Sequence, residues 1–494
     1  MLARSKFRQA FVSAPHALVL TFAVAIALGG MLLCMPFANK DGGWHLKVDR
    51  FFVATSAACV TGLDPLVKEE DRDKTKASSP DFSAAAPGTA SVPRDDEPDA
   101  GVGAVLSPAG LALLVVLVQL GGIGIMTAGT IFFVVLGRSL SVTEERSVSA
   151  SLGEVRAGDM RRILLGTMRY TLFWEAAGAI VFFARLRALF PHWGAGRAAA
   201  GGAFFAVMSF CNAGFSILRD SFAPFLRDPA SMLCAITLSL VGGIGFVVHA
   251  NLLALRPWRR DRLRRGRLTL HSRLVLEGIL AVLALDMVMF LALEWNGAYA
   301  GLGARDTVVA GLFQAITTRS AGFAAVPVRS LCPASLAFTI LMMFVGAAPG
   351  STGGGLKTTT VAILGATVAA MFASRETPEL HGRSIPRRIV NDALAILVLS
   401  LGIVLLGSFL LYLIERPDDA RAPALLFETV SAFANNGMSL ADTTASLSTA
   451  SKVVITLCMF AGRLGPVTLV LMLHRRRMAT DLSKRYPEEN VIVG

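Results

Sequence analysis

Phe51–Leu63 reads FFVATSAACVTGL, and its plan returns as FFAVMSFCNAGF at Phe204–Phe215, FQAITTRSAGF at Phe313–Phe323 and FETVSAFANNGM at Phe427–Met438. Each copy starts on an aromatic residue, reaches a small polar cluster and closes on a glycine: Gly62, Gly214, Gly322 and Gly437. Each lies between two long apolar stretches. A helix needs about 20 apolar residues to cross a bilayer, so these segments are too short to span. Main chain that leaves the helix at membrane depth must be buried in protein or line a water-filled path. Four such units in phase predict a pore with exposed backbone at its centre.

The rest of the chain supports a membrane setting. Hydrophobic residues make up 54% and charged residues only 17%, and mean hydropathy is +0.59. Soluble domains carry roughly a quarter charged residues. The 494 residues therefore read as one integral membrane unit and not as several soluble domains. A net charge of +12 raises the question of nucleic acid, but its placement answers it. Arginines gather at Arg4–Arg8, Arg138–Arg162, Arg256–Arg273, Arg375–Arg388 and Arg475–Arg485, all on one side once the helices are counted. That pattern sets topology, and no nucleic-acid partner is expected. The run Arg256–Arg267 (RPWRRDRLRRGR) also suits acidic lipid or a protein partner. Cys34, Cys59, Cys211, Cys234, Cys332 and Cys458 lie in or beside apolar segments without pair spacing and read as packing residues. The N-terminus has a basic start and an apolar run, Ala17–Pro36, without a small-residue cleavage site, so a retained helix is expected.

The expected fold class is an all-α membrane protein: four pseudo-repeats of helix, re-entrant pore loop and helix around one pore. Eight spanning helices are predicted at 15–36, 107–136, 162–190, 230–256, 271–295, 331–373 (interrupted), 387–414 and 450–474. The units are 1–136, 162–256, 270–373 and 387–475, followed by a cytoplasmic tail, 476–494. The four glycines are 152, 108 and 115 residues apart. The first spacing is long because residues 64–104 are polar, rich in Pro, Ala and Ser, and net acidic, which reads as a disordered insert on the outer face. The charges place both termini inside, with all four re-entrant segments entering from outside.

A bare monovalent cation in a low-dielectric core costs tens of kcal/mol unless its water is replaced. Rings of backbone carbonyls replace it in potassium filters. Glycine permits the unusual dihedrals such a turn needs, and each short helix aims a partially negative C-terminal end at the centre. The candidate ion-binding residues are Val60, Thr61 and Gly62; Asn212, Ala213 and Gly214; Ser320, Ala321 and Gly322; and Asn435, Asn436 and Gly437. Potassium at their carbonyls is the expected bound metal ion.

These motifs carry a resemblance. CVTGL at Cys59, CNAGF at Cys211, RSAGF at Arg319, NNGMS at Asn435, QLGGIGIMT at Gln119, GGIGF at Gly242, PGSTGGGLKT at Pro349, GRLGPVT at Gly462 and the tail RYPEENVIVG from Arg485 are similar to the Trk/Ktr/HKT superfamily of potassium transporters. The likeness covers nearly the whole chain except the insert. Only about 15 residues precede the first helix, which favours the Ktr-type (KtrB) membrane subunit over Trk-type relatives with two further N-terminal helices. The resemblance implies potassium as substrate, sodium as a candidate activator, and no cofactor in this chain. It also implies a plasma-membrane homodimer on a cytosolic, nucleotide-binding regulatory ring of the RCK (KtrA/TrkA) type. Basic inner loops and the tail from Arg475 are the expected contact surfaces. Glycine at the first filter position, Gly62, implies potassium over sodium, because plant members with serine there go with sodium.

Ala347–Lys357 (AAPGSTGGGLK) interrupts the sixth span where proline and clustered glycine cannot sustain helix. A phosphate loop fails in detail, because Leu356 separates Gly355 from Lys357 and no strand precedes it. A packing kink is the plain reading of the residues. The family resemblance implies an intramembrane gate below the filter formed by Gly350, Ser351, Thr352, Gly353, Gly354, Gly355 and Lys357 together with Arg463. Arg463 lies within an otherwise apolar span, where a charge faces a cavity or a partner. Lys357 either stabilises the closed loop or reaches the inner surface. Arg319 and Glu428 read as structural partners near the pore, and Asp286 and Glu175 as buried partners or proton-sensitive groups. Seven histidines show no metal-ligand spacing and no nucleophile–base pair is present, so no enzyme is expected. A secondary transporter with alternating access, binding a small solute at the break near residue 350, is the competing class. A sensor with a fossil pore is a third.

Overall fold

Apolar runs bounded by small polar residues, proline and glycine set the helix limits. The computed structural model describes residues 14–66, 101–124, 160–218, 221–255, 268–375, 377–419, 421–440 and 443–465. Its main helices are α1 (Ala14–Cys34), α2 (Val48–Cys59), α3 (Pro108–Ile123), α4 (Met160–Leu189), α5 (Ala195–Cys211), α6 (Pro229–Gly243) and α7 (Phe246–Leu255). They continue with α8 (Leu270–Glu294), α9 (Ala304–Ile316), α10 (Pro333–Phe344), α11 (Thr358–Phe372), α12 (Arg387–Glu415), α13 (Ala422–Ala434) and α14 (Thr449–Leu464). A small antiparallel hairpin, β1 (Glu379–Leu380) with β2 (Arg383–Ser384), joins α11 to α12. Helices α8 and α12 are each long and apolar enough to cross a bilayer. Most of the expected insert, the far ends of the second and eighth predicted spans, the basic run from Arg256 and the tail 476–494 lie outside the described residues.

Four helices begin with the same chemistry. Ser107, Asp228, Cys332 and Ser448 each accept the amide of the residue three positions on, at 3.1, 3.4, 3.4 and 3.3 Å, ahead of α3, α6, α10 and α14. Pro108, Pro229 and Pro333 follow the first three caps, where a missing amide hydrogen leaves no bond unmade. Three of these helices stop at glycines in the left-handed half of backbone space: Gly124 (φ 84°), Gly245 (φ 89°) and Gly465 (φ 82°). The span predicted at 230–256 is consequently two helices, α6 and α7, because the helical ladder does not run through Gly245. The fourth of the set, α10, ends at Phe344, and residues 345–357 separate it from α11.

Packing runs round a circle. Helix α3 contacts α5, α6 contacts α9, α10 contacts α13, and α14 returns to α2. Each of the four capped helices thus leans on the short helix of the next unit. Between helices in lipid there is no hydrophobic drive, so close backbone approach through small residues supplies the attraction. A Cβ on Gly121, Gly242 or Gly462 would collide with the carbonyl oxygen of Ala58, Phe210 or Phe433 respectively, near the ends of α2, α5 and α13. The aromatic residues that lead the short helices, Phe52, Phe205, Phe313 and Phe427, are fully buried. Phe205, Phe222, Phe313 and Phe323 join the second and third units, with centroid separations from Phe222 of 5.4, 5.2 and 4.5 Å. Such pairs contribute about 0.5–1.5 kcal/mol each beyond area burial. Lys452 of α14 pairs with Asp49 of α2 at 2.6 Å, which ties the last unit to the first.

Candidate functional site

The four short helices end in related turns. Helices α2, α5 and α13 are capped by Val60, Asn212 and Asn435 in the left-handed region, with φ of 58°, 59° and 52°. The third unit departs: α9 runs into a π-turn, Thr317–Ala321, and the left-handed residue is Gly322 (φ 69°). The amides of the turns fold back on their own helices. Thr61 donates to Ser56 O at 2.7 Å, Ala213 to Met208 O at 2.9 Å, Asn436 to Ser431 O at 2.9 Å and Gly322 to Thr317 O at 3.1 Å. Gly62 and Gly437 donate to the hydroxyls of Ser56 and Ser431 at 3.0 and 3.1 Å. With the N–H groups committed to the helix side, the carbonyls are left to face the other way.

They face one another's glycines. A Cβ on Gly62 would strike Ala213 O, one on Gly214 would press on Ala321 O, one on Gly322 would strike Asn436 O, and one on Gly437 would strike Thr61 O. These contacts run first to second, second to third, third to fourth and fourth back to first. The cycle is closed. All twelve residues singled out from the sequence lie in these four turns. The side chains of Asn212, Asn435 and Asn436 tie the turns to their surroundings. Asn436 Nδ2 donates to Thr317 O and Thr318 O, both at 2.8 Å. Asn435 Nδ2 donates to Thr61 Oγ1 at 2.9 Å and Met459 O at 3.0 Å. Asn212 Nδ2 reaches Thr352 Oγ1 at 2.8 Å and Ser239 O at 3.2 Å.

Thr352 belongs to the glycine-rich break, which packs against the ring. Residues 345 and 356 bridge as neighbouring strands, and Gly346 donates to Leu356 O at 2.9 Å, pinching the loop at its base. A Cβ on Gly353 would crowd Ser320, and one on Gly354 would collide with Asn435. Glycine here is a matter of clearance under the third and fourth turns. Pro349 O lies against the Gly245 break between α6 and α7. Lys357 Nζ donates to Gly353 O at 2.8 Å, so it closes the loop on itself. Arg463, near the C-terminus of α14, donates through Nη1 to Thr352 O at 2.5 Å and through Nη2 to Gly121 O on α3. Three units therefore meet at one guanidinium. Ser351 is turned inward, its hydroxyl on Ala348 O at 2.6 Å.

The acidic residues divide. Glu428 is fully buried and its carboxylate accepts from Ser439 Oγ at 3.0 Å and from Thr444, which fixes the chain after the fourth turn. Glu175 of α4 accepts from Gln119 at 3.0 Å and lies 4.0 Å from Cys211 Sγ, immediately before the second turn. Sequence reasoning assigned no role to Gly121, Gly242 and Gly462. Their signal was present as a glycine at matching places in QLGGIG, LVGGIG and FAGRLG. Among the described residues no group of His, Cys, Asp and Glu is arranged to hold a metal ion.

Comparison with known proteins finds relatives over nearly the whole chain. The family model described as TrkH, a cation transport protein, matches residues 48–481. The Ktr system potassium uptake protein B of Bacillus subtilis is 30% identical over 97% of this chain and 96% of its own. The potassium/sodium uptake protein NtpJ of Enterococcus hirae is 28% identical over 96% and 95%. The crystal structure of the potassium transporter TrkH from Vibrio parahaemolyticus superimposes with a TM-score of 0.64 at 17% identity, covering 94% of this chain and 85% of that one.

Proposed function

The chain belongs to the TrkH family of cation transport proteins, and from that premise we propose that it carries potassium into the cell through a single pore at the ring of four glycine turns. The observation that carries this reading is the closed cycle of contacts from Gly62 to Gly437. Main-chain oxygens gathered about one axis supply a dehydrated K⁺ with neutral, partially negative ligands, while α2, α5, α9 and α13 add the negative ends of their dipoles. Asn212, Asn435 and Asn436 act from behind, holding the carbonyls at a fixed separation.

The glycine-rich loop lies across the path below the ring and is the gate. Arg463 latches it through Thr352 O and places a positive charge on the ion's route. Opening requires the loop to leave the Gly245 break and the guanidinium. The eight spans place both termini in the cytoplasm, as the arginine distribution supports. Potassium is the substrate and sodium an activator. A homodimer seated on a cytosolic nucleotide-binding ring is the functional assembly, in line with the system to which the Bacillus relative's name refers. A ring of four equivalent turns favours a pore over a single midplane solute site.

Expression in a host lacking potassium uptake tests the reading. Growth on limiting K⁺, together with ⁸⁶Rb⁺ flux into proteoliposomes, is expected. Absence of both with protein present in the membrane would refute it.

A further inference from the structure

Beside the ring lies a further buried cation, Arg319. Arg319 is the residue immediately before the third turn, and its side chain is buried within the protein. Its Nη2 makes one long hydrogen bond, 3.4 Å to Gly346 O at the base of the loop. Its Nε meets no hydrogen-bond acceptor of the protein. A cavity of about 20 Å³, room for one water, opens on it between Ser239, Gly243, Ile279 and Ala347. Ile279 lies on α8, and seven residues further along the same helix, two turns on the same face, stands Asp286. Asp286 is completely buried, and neither carboxylate oxygen receives a hydrogen bond from the protein. Arg319 and Asp286 do not touch, but α8, which carries Asp286, packs against α9, whose π-turn carries Arg319.

An isolated charge in a membrane interior is too costly to keep unless something compensates it. A guanidinium beside a cation filter carries a second penalty, because it repels the ion that the carbonyls attract. The second unit handles the same place differently. There Cys211 precedes the turn, and the acid behind it, Glu175, is satisfied by Gln119. The third unit has a cation at this place and a buried acid that receives no hydrogen bond from the protein. We infer that Asp286 is the counter-charge of Arg319, a positioning residue that keeps the third filter segment electrostatically neutral so that K⁺ can occupy the ring.

The inference rests on the filter reading, and it separates from it experimentally. The full chain and the variants Asp286→Asn, Arg319→Gln and the double substitution are compared in proteoliposomes by ⁸⁶Rb⁺ uptake. Asp286→Asn is expected to raise the half-saturating Rb⁺ concentration by roughly tenfold, the order of effect that one uncompensated buried charge has on a nearby cation at an effective dielectric of about 20. The double variant is expected to return to within about threefold of the parent, since its ring is neutral again. A purely structural role would lower thermal stability while leaving the half-saturation point unmoved. Equal half-saturation in the parent and Asp286→Asn overturns the proposal, and so does a double variant as impaired as Asp286→Asn. Should Asp286→Asn not accumulate in the membrane, the double variant must; equal loss of both also overturns it. If the parent itself passes no Rb⁺, the filter reading falls, while melting midpoints still report the pair: a double variant no more stable than Asp286→Asn refutes it.

Discussion

Replacing Arg463 by alanine removes two hydrogen bonds with different jobs. The bond to Gly121 O holds the guanidinium in place, and the bond to Thr352 O at 2.5 Å holds the loop. A hydrogen bond from a charged donor contributes about 1.5–3 kcal/mol net. Only the second acts on the loop's equilibrium, so the open population is expected to rise by roughly 10- to 150-fold, at 1.4 kcal/mol per tenfold. Loss of the positive charge also lowers the barrier to K⁺, so both effects point to higher flux. ⁸⁶Rb⁺ influx into proteoliposomes holding the chain without any cytosolic partner measures it. Arg463→Lys separates the two causes. Lysine keeps the charge but lacks the fork that spans two carbonyls. A latch predicts a leak of roughly 3- to 12-fold for lysine, half the effect on a logarithmic scale, whereas a pure electrostatic barrier predicts parental flux. Unchanged influx in Arg463→Ala would remove this residue from the gate.

Gly62 holds φ at 93°, and a Cβ there would meet Ala213 O at 2.5 Å and Gly214 Cα at 2.7 Å. Gly62→Ser is therefore expected to push the first and second turns apart and reduce the K⁺ over Na⁺ preference by roughly tenfold, at a stability cost of about 1–3 kcal/mol; reversal potentials that match the parent's would contradict this. Thr352→Val deletes the oxygen that receives Asn212 Nδ2 at 2.8 Å, so basal ⁸⁶Rb⁺ leak should rise several-fold, about 1 kcal/mol of latch, with a leak no higher than the parent's counting against a link between ring and loop. At the start of α6, burial alone would raise the Asp228 carboxyl, but hydrogen bonds from Arg185 and Ser231 outweigh it and hold the group below its ordinary value. Because the folded form binds its proton less tightly than the unfolded form, this stabilisation is present above about pH 4 and fades as pH falls further. Asp228→Asn should lower stability at pH 7 by about 1–2 kcal/mol, since the Arg185 side chain is 38% exposed, and a melting difference that persists undiminished at pH 3 would argue against the ion pair.

Much of the site could be read from residue types. The glycine at the end of each short segment, the aromatic residue that leads it and the break at Pro349–Gly355 are chemically distinctive, and the structure brings the four glycines and the break close together. Two things escaped that reading. GGIG is apolar enough to pass for a continuous span in a hydropathy window, and only the φ of 89° at Gly245 divides α6 from α7. The π-turn at Thr317–Ala321 was equally hidden, since RSAGF has the same length and ending as CNAGF. For Lys357 the residue type alone does not name a partner, and in the structure its ammonium lies on the loop carbonyl of Gly353.

Hydropathy and glycine content are properties of single residues and their neighbours, which is why the chain by itself determined an all-helical membrane protein and its family. Which oxygen each glycine faces is not such a property. Main-chain carbonyls look alike in sequence whatever residue carries them. The acceptors of Arg463 lie 111 and 342 positions away, and the ring closes only when the fourth turn returns to Thr61. Partners of that kind come together only through the circular packing of α3, α6, α10 and α14 on the next short helix.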